Sequence, residues 1–225
     1  HARSAAAIYI PTHFAEDRPE ELHRIVRAHP LGLLCTAGPD GLDANHLPFH
    51  LDPATGPHGT LLAHVARANP LWQRVPSGSA VLVVFRGAEG YISPNWYPGK
   101  HTTHRAVPTW NYEAVHAHGT LTVHDEEKHV RQVVARLTHT HEALAEPPGP
   151  HRPWRMGDAP PDYLQAMLQS IVGIEVRITR LEGKRKLGQN REAPDREGAQ
   201  HALQLRGHTA LADAMRQASE PRQCS

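Results

Sequence analysis

Short apolar segments separated by tight turns fill the first half of the sequence, and this pattern constrains the fold more than any other feature. Strands are predicted over residues 31–36, 42–51, 61–65, 80–86 and 107–123. Turn sequences such as Gly38-Pro39-Asp40-Gly41 lie between them. Pro48 falls inside the second segment and predicts an edge or a bulge there. Short strands at even spacing are typical of a small antiparallel barrel. An alternating segment at 174–178 is expected to close it.

Helical patterns flank these strands. Asp17 and Glu20 form a capping box for a helix that is expected to end near Pro30, because a residue before proline is pushed away from helical geometry. Asp125 is predicted to cap a second helix, and a third is predicted from Pro160 to Gly173. The apolar stripe of the third helix consists of Leu164, Met167, Leu168 and Ile171. Other expectations are a strand at 8–10, a turn at 87–90, a long functional loop at 95–108 and a proline-rich loop at 146–153.

Composition adds limits on domains and location. The 225 residues carry a formal net charge of +1, which gives no general reason to bind nucleic acid. From residue 183 onward there are eight Lys/Arg against five Asp/Glu. We therefore expect a barrel domain over 1–182 and a basic helical extension over 183–225 that packs on it. No segment approaches the roughly 18 apolar residues of a membrane span, and there is no secretory signal. Cys35 and Cys224 have unlike settings, so a cytoplasmic protein without a disulfide framework is predicted.

No motif of side-chain catalysis is present. There is no Ser-His-Asp pattern, and Cys35, inside an apolar strand, is expected to be inert. The 19 histidines are scattered. Their closest pairs are His101/His104, His116/His118 and His139/His141. Because no third ligand follows any pair at a familiar spacing, the sequence predicts no metal site. It predicts no catalytic residues either, since no pattern of side-chain catalysis is present.

The junction at 61–72 has the character of an anion site. A strand runs into a short helix, for which Asn69 suits the N-cap and Pro70 the first helical position. Unpaired backbone N–H groups and the charge of Arg67 would attract a phosphate there. A simple capped helix start with a surface arginine fits the same residues, and the local sequence does not decide between the two.

Several segments together resemble the FMN-binding negative transcriptional regulators, the PaiB-like proteins, over nearly the whole chain. These segments are Tyr9-Ile10-Pro11-Thr12-His13-Phe14, Leu47-Pro48-Phe49, Ala63-His64-Val65-Ala66-Arg67-Ala68-Asn69-Pro70, Ile92-Ser93-Pro94-Asn95-Trp96-Tyr97, Val107-Pro108-Thr109-Trp110-Asn111-Tyr112 and Leu181-Glu182-Gly183-Lys184-Arg185-Lys186-Leu187 with Gln189-Asn190-Arg191. Gly188 departs from the pattern, where a serine is expected. The resemblance implies an α+β fold, a split antiparallel β-barrel of the pyridoxamine-phosphate-oxidase type, with FMN at the interface of a homodimer.

The resemblance also implies a set of cofactor-binding residues. The phosphate cradle would come from Arg67, Asn69 and the helix start, and polar contacts to the flavin would come from the second strand. Trp110, or Trp96 of the partner subunit, would cover the ring, and the C-terminal lysines and arginine would reach across the dimer. The complete set is Asn45, His46, Leu47, His64, Val65, Ala66, Arg67, Asn69, Trp110, Lys184, Lys186, Asn190 and Arg191. The same residues also fit ordinary structural roles: tryptophans that lie in an interface, histidines that form hydrogen bonds within a strand, and lysines on a solvated face.

Three functions remain open at this point. The chain is an FMN-binding regulator, a flavin-dependent oxidoreductase of the same fold, or a haem-binding relative. A flavin enzyme needs few catalytic side chains, because the cofactor performs the redox step. DNA binding has weak support, since the nearest helix-turn-helix candidate, residues 199–217, carries only Arg206 and Arg216.

Overall fold

The described part of the chain, residues 8–145 and 152–219 of a computed structural model, contains eight strands and seven α-helices. The strands are β1 (Ala15–Glu16), β2 (Leu31–Gly38), β3 (Gly41–Pro48), β4 (His50–Asp52), β5 (Thr60–Ala66), β6 (Ala80–Ile92), β7 (Thr109–His124) and β8 (Ile171–Lys186). The helices are α1 (Pro19–Ala28), α2 (Leu71–Arg74), α3 (Pro98–Thr103), α4 (Glu127–Ala145), α5 (Pro161–Gln169), α6 (Ala193–Leu205) and α7 (Thr209–Gln217). Cys224 and most of the predicted loop at 146–153 lie outside the described residues.

The strands form one sheet in the order β3-β2-β6-β7-β8-β5-β4, and β1 pairs with β8. The pairs β2–β3, β2–β6, β4–β5 and β5–β8 are all antiparallel, as predicted. The interruption at Pro48 is also confirmed. There, Phe49 leaves the ladder and donates its N–H to the carbonyl of Pro30 at 2.9 Å before β4 begins.

The chain divides into two compact units, and β6, β7 and β8 contribute residues to both. The first unit contains the described residues of His1–Ile25, Arg86–Val115 and Glu182–Ser225. The second contains Val26–Phe85 and the described residues of His116–Leu181. The predicted boundary between 182 and 183 therefore lies within β8, four residues before that strand ends at Lys186.

The core of the second unit follows from alternation along β5 and β8. Ala63 lies opposite Ile174 and Val65 opposite Val172 in the antiparallel register, and all four are almost completely buried. Leu62 points to the other face, where it packs with Val133 and Leu137 of α4. Because side chains alternate along a strand, His64, opposite Gly173, shares this second face with Leu62.

The C-terminal helices are part of the core of the first unit. Leu203 of α6 and Leu211 and Met215 of α7 are buried in one cluster with Ile92 and Leu187. The predicted helical extension forms two helices, and Gly207 takes a φ of 77° in the turn between them. Apolar burial on this scale, about 1.5–3 kcal/mol for each large side chain, fixes both helices to the sheet residues of this unit.

Two predictions that glycines interrupt the secondary structure are wrong. The turn expected at 87–90 is absent, because β6 continues to Ile92. A Cβ at Gly87 would lie 2.8 Å from the Cβ of Glu113, and one at Gly90 would lie 2.9 Å from Leu211. Gly173 does not end a helix but lies within β8, and a Cβ there would lie 3.2 Å from the carbonyl oxygen of His124. These glycines permit close packing within extended strands.

Three other local predictions are also corrected. Residues 8–10 form no strand, and a 3₁₀ turn at Thr12–Phe14 leads instead into β1. The expected loop at 95–108 contains part of a 3₁₀ turn at Pro94–Trp96 and all of α3. Helix α5 ends at Gln169, and within it Leu168 is buried whereas Met167 is 44% exposed, so its apolar stripe is narrower than predicted.

Candidate anion-binding site

The end of β8 separates three consecutive cationic residues onto two faces. Side chains alternate along a strand, so Lys184 and Lys186 lie on one face and Arg185 on the other. Arg185 is 5% exposed, and its guanidinium lies 2.7 Å from Glu113 and 3.2 Å from Glu21. The charge of this arginine is therefore balanced within the first unit.

Lys184 is almost as deeply buried, but its surroundings are aromatic and carbonyl groups. Lys184 is 9% exposed. Its Nζ donates to the carbonyl of Tyr9 at 2.9 Å and lies 5.4 and 5.5 Å from the ring centres of Tyr9 and Tyr112. Aromatic faces stabilise a cation without neutralising it, so a full positive charge remains.

Lys186 adds a further charge to this face, and Arg191, in the turn after β8, adds one close to Lys186. The Nζ of Lys186 donates to the Oγ1 of Thr109 and the carbonyl of Trp110, both at 2.5 Å. Burial lowers the pKa of Lys186, and the positive charges of Lys184 and Arg191 lower it further. Arg191 lies over the ring of Tyr97 at 5.1 Å.

The turn after β8 explains the departure at Gly188. Gly188 has a φ of 84°, in the left-handed region that glycine adopts most easily. Its carbonyl accepts the N–H of Arg191 at 2.9 Å, and the side chain of Gln189 bonds the backbone of Leu187 and Arg185. Backbone geometry, rather than a hydroxyl contact, is thus what this position supplies in the present chain. Asn190, the next predicted site residue, is exposed.

Aromatic side chains next to this cluster are unusually exposed. Trp110 is 50% exposed and makes an edge contact with Tyr91, at 6.5 Å between ring centres. Tyr9 is 82% exposed. The cationic group of Lys184, Lys186 and Arg191 is therefore next to amphipathic rings that offer apolar contact area. We call this set the β8 cationic cluster.

The predicted cradle at 61–72 lies in the second unit and is organised differently. Arg67 donates to both carboxylate oxygens of Asp125, at 3.0 and 2.5 Å, and to the carbonyls of Gln169 and Ile171. The pKa of Asp125 is lowered by this hydrogen bonding. Helix α2 has only four residues, too few to build a strong helix dipole. The carboxylate of Asp125 is thus an anion from the chain itself that already pairs with Arg67.

The remaining predicted residues of this unit are partly brought together. The side-chain amide of Asn69 donates to the Oδ1 of Asn45 at 2.8 Å and accepts the N–H of Leu71 at 2.9 Å. The N-cap of α2 is nevertheless Pro70, and the helix begins at Leu71, one residue later than predicted. In contrast, Leu47 and Val65 are buried, whereas His46 and Ala66 are exposed. His64 lies on the face covered by α4.

Several residues around the β8 cationic cluster were not singled out individually from the sequence. Tyr9, Thr109 and Tyr112 provide its carbonyl, hydroxyl and ring contacts, and Tyr97 lies under Arg191. All four are within the segments that carried the family resemblance, which was the available signal. No spacing rule could have associated them with residues 184–191, because the contacts join distant parts of the chain.

The arrangement of the sheet defines the class of protein. The structure aligns with the FAD and haem binding protein of Mycobacterium smegmatis at a TM-score of 0.51 and 12% identity, over 77% of this chain and 74% of that one. The predicted α+β split β-barrel of the pyridoxamine-phosphate-oxidase type is confirmed.

The family can be stated more narrowly. Residues 8–180 match the family described as "Putative FMN-binding domain", and the chain belongs to it. It is 34% identical to an uncharacterized protein of Aspergillus fumigatus, over 85% of this chain and 88% of that protein. It is 30% identical to protease synthase and sporulation protein PAI 2 of Bacillus subtilis, over 84% and 85% respectively. The predicted PaiB-like resemblance is therefore confirmed.

Membrane insertion through helices finds no support in the described residues. None of their helices is both long and apolar enough to span a bilayer.

Proposed function

We propose that this protein binds FMN and that the β8 cationic cluster holds the FMN phosphate. The observation that carries the proposal is the group of three neighbouring cations, in which the charges of Lys184 and Arg191 lower the pKa of the partly buried Lys186. Like charges in a partly buried place disfavour one another. A phosphate monoester with a charge near −2 offsets them and accepts hydrogen bonds from ammonium and guanidinium groups. Family membership supports the same ligand.

The exposed aromatic residues support the remaining part of the ligand. A flavin has two broad apolar faces and a polar edge, and Trp110 and Tyr91 offer half-exposed rings of matching character. Exposed aromatic side chains are also enriched where proteins associate. We therefore propose that the chain is a homodimer whose interface includes these residues. When bound, FMN would supply electron or hydride transfer, while the chain binds and orients it.

Comparison of three ligands tests the phosphate assignment. Flavin-free protein is titrated with FMN, riboflavin and FAD while flavin fluorescence is recorded. Loss of the charge-assisted contacts is expected to make riboflavin bind at least tenfold more weakly than FMN, since each such contact contributes about 1.5–3 kcal/mol. FAD, whose phosphates are diesters with one charge each, is expected to fall between them. Equal affinities for FMN and riboflavin would refute the phosphate site, and no binding of any flavin would refute the function.

Direct recognition of DNA has less support from the contacts of α7. Its Leu211 and Met215 are buried, and its Arg216 donates to Asp213 at 2.8 Å. A recognition helix needs basic side chains directed toward the groove. We therefore favour a flavin-dependent redox role over sequence reading by this helix. Oxidation of NAD(P)H by the FMN-loaded protein, measured beside binding to duplex DNA at moderate salt, separates the two roles. A Soret band in the purified protein would instead favour a haem-binding relative.

A further inference from the structure

A cluster of two histidines and one glutamate lies in the second unit, away from the residues assigned to phosphate. His124 ends β7, His129 lies in the first turns of α4, and Glu175 lies in β8. One potential ligand atom from each lies within 4.8 Å of the other two. The spacing of histidines in the sequence predicted no metal site, because these ligands come from three separate elements.

The distances suit a small transition-metal ion. The Nε2 of His124 lies 3.2 Å from the Oε2 of Glu175. In tetrahedral zinc sites with bonds near 2.0–2.1 Å, neighbouring ligand atoms are about 3.3 Å apart. The His124 and His129 rings are stacked at 3.6 Å between centres, so coordination of one ion by both imidazoles requires a side-chain rotation of one of them.

Two further observations distinguish this cluster from a simple His–Glu hydrogen bond. The Nε2 of His129 is buried and has no hydrogen-bond partner among the described residues. Buried polar atoms are rarely left unsatisfied, and an exception calls for an ion or water. In addition, Gly173 faces the two histidines, and a Cβ there would lie 3.7 Å from the His129 ring. A methyl group at that distance is in ordinary van der Waals contact with the ring, so only a larger side chain at position 173 would enter the space of the two histidines.

The cluster also has access to solvent on one side. A cavity of about 190 Å³ is lined by His129 and Glu175, together with Asp52, Thr60 and Leu62. Arg136 lines it too, but its guanidinium donates to Asp52 at 3.0 Å, so its charge is offset. A metal with three protein ligands keeps a fourth position for water, and this cavity provides the space.

We propose that His124, His129 and Glu175 form a binding site for Zn²⁺. Imidazole nitrogen and carboxylate oxygen are both good zinc ligands, and the set of two histidines and one glutamate is used for zinc in hydrolytic enzymes. The ion would join β7, α4 and β8 within the second unit. It needs no flavin, so its presence and the flavin proposal can fail separately.

Zinc titration of the full-length, chelator-treated protein tests the site. A chromophoric competitor reports one tight equivalent per chain in the parent protein. Glu175→Gln keeps the shape of the side chain but is a poor ligand, and we expect it to weaken that equivalent at least tenfold. His129→Gln is expected to do the same. The matched control is His139→Gln, an exposed histidine on the same helix α4, which should leave affinity and stoichiometry unchanged.

Thermal unfolding provides an independent measurement. Zinc at a hundredfold excess over Kd is expected to raise the Tm of the parent and of His139→Gln by about 5 °C or more, and that of Glu175→Gln much less. Unfolding in chelator shows whether each variant is folded before metal is added, and His124→Gln replaces any variant that is not. Equal zinc affinity in the parent, Glu175→Gln and His124→Gln would assign the metal to other histidines and overturn the proposal. Absence of a tight equivalent in the parent would overturn it as well.

Discussion

Substitution of Lys186 by methionine is the sharpest perturbation of the proposed phosphate site. The change removes one charge from the β8 cationic cluster and keeps an unbranched side chain of similar length. A hydrogen bond to a charged group contributes about 1.5–3 kcal/mol. Since every 1.4 kcal/mol is a factor of about ten in affinity, FMN binding is expected to weaken roughly 10- to 100-fold.

The assay compares FMN with riboflavin in two variants. Lys186→Met should lower the affinity for FMN and leave that for riboflavin nearly unchanged, because riboflavin has no phosphate. Lys128→Met, at an exposed position of α4, removes a lysine elsewhere and should change neither. If Lys186→Met weakens FMN and riboflavin equally, Lys186 supports the flavin ring or the fold. If it weakens neither, the phosphate lies elsewhere and the argument from unbalanced charge is refuted.

In the ligand-free protein, Lys186→Met is not expected to be harmful, in contrast to its expected weakening of FMN binding. Burial and the charges of Lys184 and Arg191 hold the pKa of Lys186 below its ordinary value of 10.5. The unfolded chain therefore binds more protons in the interval below pH 10.5, and the free energy of unfolding rises with pH there. Lys186→Met should flatten this rise and should not lower stability at neutral pH. A urea titration at several pH values measures both effects, and a strongly destabilised variant would contradict them.

Three other predictions concern the rest of the chain. Arg67→Ala is expected to change the free energy of unfolding little, because Arg67 and its partner Asp125 are both exposed to solvent. The FMN affinity of this variant tests whether the predicted cradle at 61–72 takes part in binding. Gly183→Ala should lower the free energy of unfolding by about 1–3 kcal/mol, because the new Cβ would lie 2.2 Å from the side chain of Leu22. Gly38→Ala is the control, since open space surrounds that position and no such loss is expected. Burial raises the pKa of Glu16, but hydrogen bonds from Arg18 outweigh this effect and hold that pKa below 4.5. Its stabilising effect is therefore present above about pH 4.5 and lost as pH falls through the lowered value, and Glu16→Gln should reduce that acid dependence in urea unfolding.

Elements with a strong local signal were predictable from the sequence. The segment of helix α1 begins with a capping-box pattern in the sequence and places Leu22, Ile25 and Val26 at helical spacing, and all three are at most 3% exposed. The antiparallel strands followed from short runs and turn residues in the same way. In such segments the residues that determine the structure are neighbours in the chain, so a pattern within one window is sufficient.

Glycines misled the prediction because their reasons are not local. Gly87 and Gly90 were interpreted as turn residues, but they lie in a continuous strand against Glu113 and Leu211. Gly173 was taken as the end of a helix, but it lies beside His124. A window of sequence does not reveal which distant side chain approaches a backbone. The same reason hid Asp125, 58 residues from Arg67, whose carboxylate accepts hydrogen bonds from that guanidinium.

The Lys184-Arg185-Lys186 run carries the main lesson about the site. As a sequence it favours a solvated face, and two of its three members are in fact at most 9% exposed. Because β8 extends to residue 186, alternation sends Arg185 toward buried carboxylates and the lysines toward aromatic rings and carbonyl groups. A purely structural need for positive charge could have been met on both faces with carboxylates, as it is for Arg185. On the lysine face the cations instead lie close to one another, and the charges of Lys184 and Arg191 lower the pKa of Lys186. Neighbouring cations in a partly buried place are more stable when an anion from outside the chain binds there, and the FMN phosphate has the charge and the hydrogen-bond acceptors to do so.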